Sequence, residues 1–332
     1  MERYERQMKF QQFGEHSQET LQNTHILIMG AGALGSHVAE LLARMGAHQL
    51  TIIDMDIVEL SNLHRQALYD ERDAQEMLPK VVALKRKVKQ INHHVELNAI
   101  HQELTAQNIE TIIQNVQPDI VIDGMDQFDM RFLINEVCHK LNIPWIYGAA
   151  VGSKGTVYAI DYSGPCLRCI LQSVPQTGES CAINGVLPPV VQQVASYEVS
   201  ELLRYVSGKS FSKKLITIDT FEMNIRSTNI NLLKDNDCVV CEQGIYQALN
   251  TPPLSSIEAL CGDTFLFRFK QHAFELAHHF PGQIAKENAY VKFIEYDDMT
   301  MTLFKDGRMN VRGIESQETA EDIYQQFNRC IK

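Results

Sequence analysis

Two features of the chain join residue type to spacing closely enough to suggest chemistry. The first is Gly30-Ala31-Gly32-Ala33-Leu34-Gly35, a G-x-G-x-x-G turn lying between a short apolar run at 25–29 and a helix-spaced stretch from Ala33 to Met45. Glycines in this setting let backbone approach phosphate groups closely, and the following helix N-terminus supplies unpaired N–H donors and a favourable dipole. Asp54 follows Gly35 by 19 positions, near the ~20 of a ribose-binding acid. The plain alternative is a tight strand-to-helix turn without a ligand. The second feature is a pair of Cys-x-x-Cys knuckles, Cys166/Cys169 and Cys238/Cys241. Four thiolates in two such pairs suit a tetrahedral Zn²⁺ with no open position, hence a structural ion. Free buried thiols, or a redox pair, are the alternatives.

Four polar residues lie between these features. Asn62 and Arg65 come just after the run at 50–53, Lys80 follows Pro79, and Asp126 follows a run at 119–122. Together they offer two cations for a polyphosphate and a carboxylate for Mg²⁺, which typically takes one or two carboxylates plus phosphate oxygens. Each has a modest reading as well. Asn62 or Asp126 would cap a turn or helix, Arg65 would pair with Asp70, and Lys80 would be an exposed first-turn lysine.

The elements that must position these residues alternate. Strands are predicted at 25–29, 50–53, 95–100, 119–122, 145–149, 156–160 and 215–219, and helices at 33–45, 80–91, 106–116, 129–141 and 190–206. This pattern predicts an α/β fold, a Rossmann-like mostly parallel sheet with helices on both faces. Residues 172–189, with three prolines and two glycines, read as a long loop. A break near 250–256 divides an expected main domain, 1–250, from a small α+β module, 257–332. In the module a helix is expected around 273–279, strands near 290–296 and 300–304, a hairpin turn at Asp306-Gly307 and a last helix from Thr319 to Ile331.

Composition bounds the partners. With 332 residues, 45% hydrophobic and 21% charged, the chain reads as soluble and globular. A net charge of −11 argues against a broad nucleic-acid footprint. Neither a bilayer-length apolar run nor a secretory h-region is present, so a cytoplasmic location without membrane attachment is expected. The 8 cysteines then point to metal or reactive thiols rather than a disulfide framework.

Read in order, the motifs resemble the MoeB/ThiF (HesA/MoeB/ThiF) family, bacterial relatives of ubiquitin-activating enzymes. They are R-Y-E-R-Q at 3–7, G-A-G-A-L-G at 30–35, D-M-D at 54–56, S-N-L-H-R-Q at 61–66, Pro79-Lys80, D-Q-F-D-M-R at 126–131, W-I-Y-G-A at 145–149 and the two Cys-x-x-Cys pairs. The resemblance covers about residues 1–245 and implies an ATP-dependent adenylyltransferase. Its substrate would be the C-terminal Gly-Gly carboxylate of a ubiquitin-like sulfur-carrier protein, MoaD- or ThiS-like, and pyrophosphate would leave. The pathway served would be molybdopterin or thiamine-thiazole synthesis. It also implies roles: Asp54 holds the ribose, Asn62, Arg65 and Lys80 hold the triphosphate, and Asp126 binds Mg²⁺. Arg6 reaches into a neighbouring subunit's site, which implies a homodimer. Cys181 matches the position of a cysteine able to link covalently to the activated carrier. A cysteine desulfurase or a persulfide-bearing protein would donate the sulfur. The family's Asp-Asn-x-x-x-Arg reads Asp126-Gln127-Phe128-Asp129-Met130-Arg131 here, so Gln127 is left out of the site, and Arg131 is equally well read as pairing with a sheet-edge carboxylate.

Two rival readings remain. A nicotinamide-dependent oxidoreductase would share the glycine turn and Asp54 but leaves Lys80, Asp126 and the cysteines without a purpose. A non-catalytic scaffold of the same family would be expected to lack Arg65, Lys80 or Asp126, and all are present.

Overall fold

Burial on both faces makes the first strand: in His25–Met29 the four residues after the histidine are fully buried, each such side chain contributing ~1.5–3 kcal/mol. The computed structural model describes residues 2–171, 185–260 and 263–331, and the chain divides into two compact units. One takes in residues to Pro252 apart from Glu76–Leu78; the other takes in Glu76–Leu78 and the chain from Pro253. In chain order the first unit comprises α1 (Gly14–Asn23), β1 (His25–Met29), α2 (Ala33–Met45), β2 (Gln49–Asp54), α3 (Lys80–Ile91), β3 (Glu96–His101), α4 (Ile109–Val116), β4 (Ile120–Asp123), α5 (Phe128–Lys140), β5 (Trp145–Val151), β6 (Lys154–Ile160), α6 (Pro188–Val206), β7 (Lys214–Asp219) and β8 (Asn224–Asn229).

The eight strands form one sheet in the order β3-β2-β1-β4-β5-β6-β7-β8. Neighbours from β3 to β5 run parallel. From β5 to β8 they run antiparallel. The fold is thus the expected Rossmann-like α/β class, with an antiparallel extension on one flank. Strand β1 lies between β2 and β4, so successive connections leave it in opposite directions. In open α/β sheets the crevice at such a switch, at the carboxyl ends of the strands, is where ligands bind. Helix α6 packs on α2 and on β5 and β6, while Trp145 and Tyr158, 0% and 1% exposed, are buried in a core cluster shared with residues of α4 and α5.

Two of these numbered elements escaped the sequence pattern. Helix α1 buries only Ser17, Gln18 and Leu21, too narrow an apolar stripe to register. Strand β8 is exposed along its whole length, so pairing with β7 rather than burial defines it.

The second unit is a six-stranded antiparallel sheet in the order β11-β12-β13-β14-β10-β9, where β9 is Ile257–Ala259, β10 Thr264–Arg268, β11 Gln283–Glu287, β12 Val291–Tyr296, β13 Met299–Phe304 and β14 Arg308–Arg312. Helix α7 (Gln317–Arg329) follows, its N-cap Ser316 accepting from the Thr319 N–H. The β13–β14 hairpin turns through Gly307 at φ +92°, a conformation glycine adopts without steric cost. Asn288 Nδ2 donates to the Glu76 carbonyl at 2.8 Å, which ties that short segment to this unit. The helix expected around 273–279 is instead two 3-10 turns, Gln271–Ala273 and Ala277–His279. A stretch that short is a weak helix alone, and burial of Phe274, Ala277 and Phe280 in the unit's core overrides it. No helix among the described residues is long and apolar enough to cross a membrane.

Candidate functional site

The glycine turn is built by backbone crowding. Gly30 has φ +97°, and a Cβ there would lie 2.5 Å from the Gly124 carbonyl oxygen. A Cβ at Gly35 would lie 1.8 Å from the Gly30 oxygen. These two glycines hold the turn together. Gly32 differs: a Cβ there would meet nothing nearer than 4.0 Å, and its φ is −77°. It is the N-cap of α2 and caps with no side chain, so the N-cap takes up none of the first N–H groups of this 13-residue helix. An open backbone at a helix N-terminus suits an anion.

Asp54 ends β2 and braces this turn. Its Oδ2 accepts the Ala31 N–H and its Oδ1 the Asp56 N–H, both at 2.7 Å. Burial raises its pKa, with Lys80 pulling the other way and Asp56 adding to the rise. Lys80 opens α3 and is 6% exposed. Its Nζ donates to Asp56 Oδ2 at 2.8 Å. Burial pulls the ammonium down, but the charges of Asp56, Asp54 and Asp126 more than offset this and raise its pKa. Lys80 therefore stays charged. Asp126 is exposed in the segment after β4 and lies within the electrostatic reach of Lys80. The structure thus brings Gly30, Gly32, Gly35, Asp54, Lys80 and Asp126 to one crevice at the carboxyl ends of β1, β2 and β4.

Asn62 and Arg65 sit on a loop strapped over α2. Asn62 ends the 3-10 turn Leu60–Asn62, and its Oδ1 accepts the Glu59 N–H at 3.1 Å, the turn-capping use that its type allows. Arg65 is half-buried, and its Nη1 donates to the Ser61 carbonyl at 2.9 Å. The loop is tied down by the Ala67 N–H on Ser36 Oγ at 2.9 Å and by the Tyr69 hydroxyl on the Ala31 carbonyl at 2.7 Å. Arg6 is exposed on the short helical turn Glu5–Met8. Tyr4, 5% exposed, anchors that turn by accepting from Asn92 Nδ2 at 2.8 Å. Among the described residues no hydrogen bond or ion pair joins Arg6 to the crevice.

Arg131 takes the alternative role open to it. Its Nε donates to Asp123 Oδ2 at 2.9 Å, and both side chains are buried. Sequence reasoning missed three contributors: Asp56, Asp123 and Tyr69. Only Asp56 carried a signal, standing two residues beyond Asp54 on the same edge.

The cysteines of the two knuckles converge. Their four Sγ atoms lie within 4.8 Å of one another. Three of the separations are 3.8 Å (Cys166–Cys169), 3.6 Å (Cys166–Cys238) and 3.5 Å (Cys169–Cys241). Tetrahedral Zn²⁺ with Zn–S near 2.3 Å requires S···S edges of about 3.8 Å, so the donor set and spacing fit zinc. Hydrogen bonding between Cys166 and Cys169 lowers the pKa of the Cys169 thiol and raises that of Cys166. The knuckles pack into the main core through Cys166, Leu167, Cys238 and Val240. Cys181 lies outside the described residues.

Comparison with known proteins agrees with this architecture. The sequence model of the ThiF family matches residues 4–240. The chain is 33% identical over 333 residues to a "Sulfur carrier protein ThiS adenylyltransferase" of Bacillus subtilis, covering 98% of each. It is 32% identical to a "Sulfur carrier protein adenylyltransferase" of Thermus thermophilus, over 79% of this chain and 97% of that one. Among solved structures, Escherichia coli MccB with ATP superposes with a TM-score of 0.61 at 25% identity, over 72% of this chain and 74% of that one.

Proposed function

The chain belongs to the ThiF family, and on that footing we propose that it is an ATP-dependent adenylyltransferase acting on the C-terminal carboxylate of a sulfur-carrier protein. The observation that carries this reading is Lys80, buried, paired with Asp56 and facing the Asp54 carboxylate that braces the glycine turn. A hydride-transfer enzyme uses the same turn but has no task for that cation. The full-length match to a ThiS adenylyltransferase favours a ThiS-like carrier with a Gly-Gly end, and with it thiamine-thiazole synthesis, over a MoaD-like one.

The carrier's carboxylate attacks the α-phosphorus of ATP, and pyrophosphate leaves. A free α-carboxyl has a pKa of ~3.3–3.7, so the nucleophile is already ionised and no general base is needed. The obstacle is bringing an anion to a polyanion. The α2 N-terminus and Gly32 receive phosphate oxygens, Lys80 and Arg65 neutralise them, and Asp54 turns its remaining lone pairs to the ribose. Asn62 supplies its amide from the neighbouring turn. Preorganised charges of this kind lower the barrier because they need no rearrangement as pyrophosphate departs.

Asp126 would hold Mg²⁺. The donor set fits: a lone exposed carboxylate leaves most positions for phosphate oxygens and water, the usual arrangement for this ion. Asp54, Asp56 and Asp126 around one Lys80 also make the crevice acidic, and a divalent ion reconciles it with a triphosphate by neutralising charge. Zinc in the cysteine tetrad is structural, joining two distant segments. Arg6, exposed on an anchored turn, serves the crevice of a second copy in a homodimer. The Cys181 thiolate accepts the acyl group from the adenylate as a thioester, the acyl–oxygen bond breaking to release AMP, and a cysteine desulfurase or persulfide-bearing protein provides the sulfur. The main catalytic domain is 1–250, and 257–332 is an accessory module.

An ATP–pyrophosphate exchange assay tests the reading. Exchange is expected only with a Gly-Gly-ended carrier, stronger with a ThiS-like than with a MoaD-like one. Nicotinamide binding without carrier-dependent exchange would overturn it.

A further inference from the structure

The segment that carries Asp126 is held from behind by a buried ion pair. Asp123, the last residue of β4, is 0% exposed, and Arg131, in the first turn of α5, is 4% exposed. Asp123 Oδ1 accepts the Met125 N–H at 2.8 Å. Arg131 Nη2 donates to the Met125 carbonyl at 2.6 Å and to the Gly148 carbonyl of β5 at 3.0 Å. Both backbone polar groups of the residue next to Asp126 are therefore fixed by the two side chains of one pair. On its other side the segment is fixed by the glycine turn: Gly124 N–H donates to the Met29 carbonyl at 2.6 Å, and a Cβ at Gly124 would come within 2.7 Å of the Gly30 oxygen. The guanidinium carbon also lies 5.3 Å from the centre of the Phe128 ring and 5.4 Å from that of Tyr147. A buried pair gains stability only when its hydrogen-bonding capacity is well used, and this one spends it on Met125.

We propose that Arg131 is a positioning residue that, with Asp123, fixes the backbone of Met125 and so aims the Asp126 carboxylate at the metal of a bound nucleotide. The inference rests on the assignment of Asp126 to magnesium above. Lysine at 131 keeps the charge but lacks the planar fork that reaches Asp123 and two carbonyls at once.

The test compares the dissociation constant of ATP in EDTA with that in excess magnesium, for wild type, Arg131→Lys, Asp126→Ala and Glu198→Gln. Glu198 is the control for the surroundings of the pair: it is 0% exposed, packs against Gly148 from α6 and lies within the electrostatic reach of Asp123 and Arg131, but makes no bond to Met125. Loss of an outer partner of a metal ligand typically costs roughly 10–100-fold in metal affinity. Arg131→Lys should keep the EDTA value and lose that factor with magnesium, while Glu198→Gln keeps both. An unchanged magnesium response in Arg131→Lys, or an equal loss in Glu198→Gln, overturns the inference. Should Arg131→Lys fail to accumulate as folded protein, Asp123→Asn takes its place under the same criteria. Asp126→Ala reports separately: a wild-type magnesium response there sinks the magnesium assignment itself.

Discussion

Burial pulls Lys80 toward its neutral form, and the surrounding aspartates more than offset that pull and raise its pKa. Arg65 is its counterpart on the neighbouring loop: its guanidinium donates to the Ser61 carbonyl of that same loop. Truncating it should therefore spare the fold and remove a preorganised donor. Arg65→Ala is expected to lower ATP–pyrophosphate exchange by about 10²–10³-fold, with the unfolding midpoint close to wild type; wild-type exchange would refute the role. A second residue speaks through pH. Glu198 lies buried against Gly148, and burial raises its pKa well above the ordinary carboxylate range. Below the unfolded value of ~4.3 both states hold the proton and nothing is lost. Above it the unfolded chain releases a proton that the folded chain keeps, so stability falls with rising pH by up to about 1.4 kcal/mol per unit until the folded pKa is reached. Glutamine cannot titrate. The midpoint of Glu198→Gln minus that of wild type should grow from pH 5 to pH 8, and a flat difference by calorimetry would remove Glu198 from the account.

Among the elements, the β1–α2 turn separates two kinds of glycine. Gly35 has no room for a side chain, because its Cβ would sit 1.8 Å from a backbone oxygen. Gly32 has room and an ordinary φ. Gly35→Ala should fail to fold stably. Gly32→Ala should fold as wild type yet bind ATP about tenfold more weakly or worse, the scale of one lost hydrogen bond to a charged group. Normal ATP binding by folded Gly32→Ala would show that the phosphates lie elsewhere. Element by element, the sequence was legible where burial is strongly patterned: β1, α2, β4 and α3 follow their apolar periodicity closely, and the Gly30–Gly35 turn announces itself by residue type. It was opaque where tertiary context decides. Strand β8 exists because β7 offers an edge, and the antiparallel sense of β6 to β8 leaves no mark in a run of apolar residues. The site divides in the same way. Chemical type pointed to Lys80, Asp126 and the cysteines. Asp123 and Tyr69 act through backbone groups that only folding brings near, so nothing in the sequence singled them out.

Across the whole molecule, the cysteine tetrad is the longest-range covalent-like tie proposed for the first unit. Cys166 and Cys238 are 72 residues apart, and the strands β7 and β8 and helix α6 lie in between. Closing a loop of that length removes unfolded-state entropy worth about 4 kcal/mol by the cross-link estimate. At roughly 2–4 °C per kcal/mol for a unit of this size, stripping zinc should lower the melting midpoint by about 10 °C. The loss should also be local. Leu167, Cys238 and Val240 belong to the first unit's core, whereas Phe267, Leu303 and Phe327 form the core of the second and contribute no ligand. Amide exchange after chelation should accelerate around 166–171 and 235–246, while β10 and β13 keep their wild-type rates. Protein purified without chelators should carry one zinc per chain by mass spectrometry under native conditions, and Cys238→Ser should reproduce the chelated state. If carefully prepared protein holds no zinc and melts at the same temperature with or without chelator, the cysteines are packed thiols, and the tie between these distant segments rests on apolar burial alone.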